Sequence, residues 1–316
     1  MTSPVVPSSP LVLLTGATGF IGKSVLPVLL EQGVRLRVLS RRPVVVPPEV
    51  DLHVAPDAYG PGLDRALADV QVVCHLAGRA HVIGKGRRQQ SDFDAVNVDV
   101  SRRVARVAFR CGVTRMVFVS SIGAVGSASD PGRPLSESAP CRPTTPYGRS
   151  KQRAELALRD EAAEHQAELV VIRPPLVHGP GAPGNLALLG RLVNRGVPLP
   201  LAGVDNRRSL IHVHNLARVL AAAITVPTAA GRTFHVRDGD DYSTPQIVAA
   251  AARSTGRPAR LFRAPLPMVR AAAAFSGRRA AFEQLTGWLQ VDDRQAREVL
   301  GVTPEKLPLE IGTSAR

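Results

Sequence analysis

The sequence predicts an α/β fold with a doubly wound parallel sheet and a smaller, mixed C-terminal region. Two observations carry this. Short apolar strand-like runs alternate with helical stretches through the first half of the chain, and a glycine-rich turn follows the first of these runs directly. A third is the change of texture after Arg173, where RPPLVHGPGAPGN is rich in Pro and Gly and reads as a loop rather than an element interior.

The strand-like runs are 11–14, 35–39, 50–55, 71–76, 115–120 and 169–173, with helices near 22–32, 62–68, 92–112 and 148–166. Beyond the Pro/Gly-rich segment, His214 to Ile224 reads as another helix and Thr233 to Val236 as another strand, so the boundary at 173 is not clean. No internal repeat is evident.

Leu11-Val12-Leu13-Leu14 is a buried-strand pattern, followed by Thr15-Gly16-Ala17-Thr18-Gly19-Phe20-Ile21-Gly22 and then a helical pattern. Strand, glycine turn and helix is the context of a dinucleotide site: Gly16 for a tight turn, Gly19 for approach to a pyrophosphate, Gly22 for close packing of helix on sheet, and phosphates at the helix N-terminus. An ordinary glycine-rich turn is the alternative.

Tyr147 and Lys151, four residues apart on a predicted helix, share one face, so an ammonium can lie near a phenol and favour its phenolate. Alone, such a pair is more often a solvated helix face. Ser120-Ser121 stands at the C-terminal end of the run Met116–Val119, where open parallel sheets place ligands, and a hydroxyl there can hydrogen-bond a substrate oxygen. Without Tyr147 downstream, a serine there reads as a cap or turn.

With TGATGFIG at 15–22, HLAG at 75–78, AVNVD around Asn97, VSSIGAVG at 119–126, PYGRSK at 146–151, VIRPPLVHGPG at 171–181, NRRSLIHVHNLA at 206–217 and LGVTP at 300–304, the chain resembles the extended short-chain dehydrogenase/reductases, the NAD-dependent epimerase/dehydratase group. The stretch HLAGRAHV, with the PPLVHGPG and NRRSL segments, is similar to 4-epimerase-like proteins and nucleotide-sugar 4-keto-reductases. The resemblance implies a Rossmann-type domain over 1–173 plus about 212–239, and a substrate-binding domain from about 174–211 and 240–316. It implies Ser121, Tyr147 and Lys151 as catalytic residues, and Gly16, Thr18, Gly19, Phe20, Ile21, Gly22, Leu76, Ala77, Gly78, Asn97, Tyr147, Lys151 and Pro174 at the cofactor. Asp57 is implied at the adenine amino group, and Ser121, Asn185 and Arg208 at a nucleotide-diphosphate sugar, with Arg207 as local competitor for Arg208.

The segment Leu39-Ser40-Arg41-Arg42 places Ser40 where an NAD-binding member carries an acid. The two guanidiniums suit the 2′-phosphate of NADP, so NADP(H) is favoured, with NAD(H) the alternative if both arginines are solvated loop charges. Ser121 is followed by Ile122-Gly123, not by the Asp-Glu pair of the family's dehydratases or the Cys of its 3,5-epimerase/reductases, which leaves redox at one carbon, C4. Reduction of a 4-keto-(6-deoxy) UDP-sugar is expected ahead of 4-epimerisation. A reductase of a non-sugar carbonyl and a non-catalytic dinucleotide-binding protein are the further alternatives.

Departures from the family pattern mark particular positions. His178 stands where many relatives have Tyr, VGS at 125–127 lacks a common Tyr, and the C-terminal diphosphate arginine has only Arg278 and Arg279 as weak matches. Val197–Leu201 resembles the segment beside the nucleotide base, or reads as an edge strand with blocking prolines. His75 and His212, within apolar runs, read as structural.

The formal charge is +14, from 40 Lys+Arg against 26 Asp+Glu, but aromatics are only 4% and arginines come in ones and twos. That argues against nucleic acid and for a bias toward phosphorylated substrates. Cys74, Cys111 and Cys141 lack metal-ligand spacing, so no metal and no disulfide is expected. MTSPVVPSSP has no signal pattern and no run reaches the roughly 18 apolar residues of a membrane span, so a cytoplasmic protein without membrane insertion is expected. By resemblance, the helices at 92–112 and 148–166 pair in a homodimer.

Overall fold

The computed structural model describes residues 10–57, 59–80, 87–277 and 279–311. Strands and helices alternate to Arg173: β1 (Leu11–Thr15), α1 (Phe20–Glu31), β2 (Arg35–Ser40), β3 (Asp51–Val54), α2 (Leu63–Ala66), β4 (Val72–His75), α3 (Arg87–Asp94), α4 (Val100–Arg110), β5 (Arg115–Val119), α5 (Pro146–Glu164) and β6 (Glu168–Arg173). Then follow β7 (Leu176–His178), α6 (Asn185–Asn194), β8 (Arg208–His212), α7 (Val213–Thr225), β9 (Thr233–His235), β10 (Asp241–Tyr242), α8 (Thr244–Thr255), α9 (Leu266–Phe275), α10 (Arg279–Thr286) and α11 (Arg294–Leu300).

Seven strands form one parallel sheet in the order β3-β2-β1-β4-β5-β6-β9. The strand order reverses between β1 and β4, which makes a crevice at the carboxyl ends of these strands. Three strands, β10-β8-β7, form a second, mixed sheet.

The two-residue period of the strands decides which helices cover which face. Val12 and Leu14 of β1 point to one side, where α1, α7 and α11 close a core with Val25, Leu29, Leu220 and Leu300. Leu13 points to the other, against Leu63, Val104, Ala108 and Leu158 of α2, α4 and α5. Burial of each large aliphatic side chain contributes roughly 1.5–3 kcal/mol, so neither helix layer is dispensable. Because α11 belongs to the main core, the segment 240–316 is divided between the two regions. A third cluster, with Leu186, Leu189, Leu210, Ile247 and Val248, joins α6 and α8 to the small sheet.

The stretch expected as one helix over 92–112 is interrupted. A π turn, Ala95–Asp99, separates α3 from α4 and carries the buried Asn97. Such turns insert a residue into an α-helix and redirect a side chain, a feature that hydrophobic spacing does not encode. Among the described residues no helix is long and apolar enough to cross a membrane.

Candidate active site

The first wall of the site is the turn after β1. Gly16 has φ +75°, and a Cβ there would lie 2.7 Å from the backbone N of Ala77. A Cβ on Gly22 would lie 2.3 Å from the Gly16 carbonyl oxygen, so both glycines are required by backbone contact. Gly19 caps α1 with no side-chain hydrogen bond, and the first turn of α1 has no acidic residue. The leading N–H groups and the positive end of the helix dipole therefore face an open crevice lined by Gly16, Gly19, Phe20, Ile21 and Gly22, which fits a pyrophosphate. Thr18 is exposed beside it.

The second wall comes from β5 and α5. The extended chain after Val119 sends its two serines to different places. Ser120 is buried, its hydroxyl donating to Glu155 Oε1 at 2.5 Å, while Arg173 holds the same carboxylate at 2.6 and 2.9 Å. Ser121 faces the cavity and caps the short turn Ile122–Ala124, accepting from Gly123 N at 3.1 Å. Opposite it, Thr145 caps α5 by accepting from Gly148 N, and Pro146 occupies the first turn. These start the helix early enough to include Tyr147.

Tyr147 packs against Phe93, ring centroids 5.8 Å apart. Gly148 brings it to Ser121, since a Cβ at Gly148 would meet the Gly123 oxygen at 2.2 Å. Neither Phe93 nor the Gly148–Gly123 approach was signalled by the sequence, because each depends on which loops pack together. Burial pushes the Tyr147 phenol up to about 12, opposed by a hydrogen bond with the Ser121 hydroxyl.

Lys151 takes a position different from a simple phenol neighbour. Its Nζ donates to the Val119 carbonyl at 2.8 Å and lies 4.6 Å from the centroid of the Phe118 ring. Burial pulls its ammonium down to about 8, with Glu155 opposing. Burial and Ser121, rather than the Lys151 charge, thus govern the phenol. A side chain at i+4 shares a face but still chooses its own acceptor.

Asn97 and His75 brace the floor. Asn97 Nδ2 donates to Ser150 Oγ at 2.9 Å and to the Arg79 carbonyl, and Oδ1 accepts from Arg79 N at 2.8 Å, which fixes the Gly78 turn against Lys151. His75 is fully buried between Thr15 Oγ1 (2.8 Å) and Ser101 Oγ (3.0 Å), and burial drives it down to about 3. It is a satisfied core residue, in keeping with its place in an apolar run.

Leu76, Gly78 and Pro174 line the same cavity of about 750 Å³, and so do Asn185 and Arg208 at its far end. Arg208 donates to the Gly287 carbonyl at 2.8 Å and has no carboxylate partner among the described residues. Burial lowers its pKa to about 10. Asn185, at the start of α6, donates to Gln284 Oε1 at 3.2 Å, and Gln284 and Leu285 of α10 complete this end. Arg207 points away, exposed and near Asp205.

Other expected residues are not brought into the cavity. Ser40 closes the end of β2, its hydroxyl donating to the Arg42 carbonyl, with Arg41 and Arg42 exposed beside it. Asp57 is exposed in the turn after β3. Val197–Leu201 does not line the cavity; Leu199 pairs with Leu261 in an isolated parallel bridge. His178 is buried behind the lining, with Nε2 2.9 Å from Asp238 Oδ2 and Nδ1 without a hydrogen-bond partner among the described residues. His212 caps α7. Arg278 and residues 81–82 of the HLAGRAHV stretch lie outside the described residues.

Residues 12–236 match the family model described as NAD dependent epimerase/dehydratase family. The chain belongs to that family. The family's fold is the one seen here, a seven-stranded parallel sheet with a smaller mixed sheet beside it. Among curated members, the chain is 33% identical to a UDP-glucose 4-epimerase of Vibrio cholerae over 93% of this chain and 90% of that one. It is 32% identical to a ceramide reductase of Caulobacter vibrioides over 96% and 89%. Among solved structures, MoeE5 in complex with UDP-glucuronic acid and NAD superposes with a TM-score of 0.75, at 27% identity and 95% coverage of both chains.

Proposed function

We propose that this family member reduces the 4-keto group of a UDP-activated sugar with hydride from NADPH. The observation that carries the reading is the placing of Arg208, a guanidinium without a carboxylate partner among the described residues, in the same cavity as Ser121 and Tyr147. A diphosphate is the anion whose geometry a guanidinium fork matches. MoeE5, with UDP-glucuronic acid and NAD bound, supports a nucleotide sugar beside a dinucleotide.

The glycine turn, Gly16 to Gly22, would hold a nicotinamide dinucleotide, which when bound would supply the hydride. The chain's own residues handle the oxygen. Tyr147, whose phenol keeps its proton well above neutrality, donates that proton from Oη to the oxygen as negative charge develops, and Ser121 Oγ hydrogen-bonds the same oxygen. Lys151 carries positive charge to the floor of the site and orients the cofactor ribose. Asn97 and Gly78 hold that floor. Arg41 and Arg42, exposed and without an ion pair among the described residues, support NADP(H), and replacing both with Ala is expected to lower the NADPH preference over NADH about fivefold.

The Vibrio relative favours a second reading, 4-epimerisation, in which Tyr147 first takes the hydroxyl proton and then returns it. Incubation with a UDP-4-keto-6-deoxy sugar and NADPH separates the two. Loss of reduced-nicotinamide absorbance supports the reductase. UDP-glucose/UDP-galactose interconversion without added reductant, and no NADPH oxidation, replaces it with the epimerase. Oxidation of NADPH with a lipid ketone but with no UDP-sugar would assign the chain to the chemistry of its ceramide-reductase relative. Pairing of two copies through α4 and α5 is part of the proposal, supported by the exposed Leu156 on α5, and light scattering tests it.

A further inference from the structure

The most unusual surface of the molecule is the hairpin of α9 and α10. Helix α9, Leu-Pro-Met-Val-Arg-Ala-Ala-Ala-Ala-Phe, has no buried residue. Met268, Ala271, Ala272 and Phe275 recur at helical spacing on one stripe, and all four are exposed, Met268 at 69% and Phe275 at 94%. The half-buried residues Leu266, Val269 and Ala273 lie on a different face. Phe262, four residues before the helix, is also exposed. An apolar stripe turned to water is the reverse of the pattern that packs a helix on a core.

In sequence, the charge flanking this stripe is of one sign. From Ser243 to Phe282 the sequence has seven arginines and no Asp or Glu, which is half of the net charge of +14. Arg253, Arg257, Arg260 and Arg263 are exposed and take no ion pair among the described residues. Two carboxylates border the patch: Glu283, paired with Arg270 at 3.1 Å, and Asp205, beside Arg207 in a hollow shared with Arg263. Apolar side chains on one face with arginines around them are the composition of a helix lying in a membrane interface, and each arginine near an anionic surface strengthens binding roughly fivefold.

We infer that α9, with Phe262 and the arginines 253–263, docks the protein on an anionic phospholipid membrane. The single-signed charge selects this occupant over a second copy of the chain, whose identical patch would repel. Docking is peripheral, with the apolar stripe at headgroup depth and no span. Helix α10 lies between this surface and the cavity, since it packs against α9 and contributes Gln284 and Leu285 to the lining. Docking therefore places the substrate end of the site beside the lipid, whichever sugar or carbonyl it accepts.

The test is co-sedimentation of the full chain with vesicles of phosphatidylcholine alone or with about one-third phosphatidylglycerol. Binding is expected only to the anionic vesicles and is expected to fall with salt. The double change Met268→Ser and Phe275→Ser should weaken it at least about tenfold, and Arg257→Gln with Arg260→Gln and Arg263→Gln likewise, with the melting temperature unchanged because none of these side chains is buried. No binding to anionic vesicles, or binding that the apolar pair leaves unchanged, overturns the inference. A concentration-dependent dimer abolished by the same pair, in a protein that ignores vesicles, overturns it in favour of a contact between copies. Turnover of a soluble substrate is read separately, so failure of the docking inference leaves the proposed reaction standing.

Discussion

The floor and the far end of the cavity are built by opposite means. On the floor, Ser120, Asn97, His75 and Lys151 are buried, and each polar atom meets a named protein partner at 2.5–3.0 Å. At the far end, Arg208 has one carbonyl partner, Asn185 and Gln284 meet at 3.2 Å near the surface, and the adjoining helix α9 has no fully buried residue. A fully satisfied polar network rigidifies, and a loosely tied one yields to what binds. Under the proposed function, the floor carries the constant chemistry and the far end chooses the substrate.

The largest expected effect attacks the floor. Tyr147→Phe should lower kcat by about 10²- to 10⁴-fold while calorimetric dinucleotide binding persists. Full activity in that variant would remove Tyr147 from the chemistry and with it the contrast. At the far end, Arg208→Gln is expected to act on affinity instead, raising KM for the nucleotide sugar roughly ten- to hundredfold, the worth of a charged hydrogen bond, with a smaller change in kcat. A kcat loss comparable to that of Tyr147→Phe would show that the two ends are not separate.

Gly148→Ala sharpens the account of how the floor is assembled. The added methyl must push α5 from the Gly123 oxygen, so a stability loss of about 1–3 kcal/mol by thermal or denaturant unfolding and a roughly tenfold fall in kcat are expected together. The same alanine at Gly203, where a Cβ meets nothing within 4 Å, is the control.

The last expected effect, silent at neutral pH, is on the acid limb of stability. Unfolded His75 takes up a proton below about pH 6.5, whereas the folded residue resists until about 3. The unfolded chain then binds more protons, so stability is complete above about 6.5 and falls as the pH drops toward 3. His235, lowered to about 4 by burial, works in the same direction. His75→Gln should flatten the urea-midpoint profile over that range, and an unchanged slope would mean that His75 is not buried in its neutral form.

Much of the walls of the site was legible because their signals are local. A glycine turn between a strand and a helix, and the four-residue spacing of Tyr147 and Lys151, act within about one turn of backbone. The π turn around Asn97, the Phe93 contact and the direction of Lys151 were not, since each is settled by residues far apart in sequence. Ser121 and Tyr147 lie 26 positions apart, and no spacing rule states that Gly148 and Gly123 touch. Val197–Leu201 shows the same limit, since the bridge from Leu199 to Leu261 joins positions 62 residues apart that no local pattern pairs.

By itself, the sequence determined the alternation of elements, the two faces of each strand, the turn that opens α1 and the family, because periodicity and steric demands of Gly and Pro act over a few residues. Only the tertiary structure decided that Ser120 serves the Glu155–Arg173 pair while Ser121 faces the cavity, that Arg208 and not Arg207 enters it, and that α9 shows its apolar stripe to solvent. Those are matters of which surfaces meet, and burial, not local propensity, sets the cost of each choice.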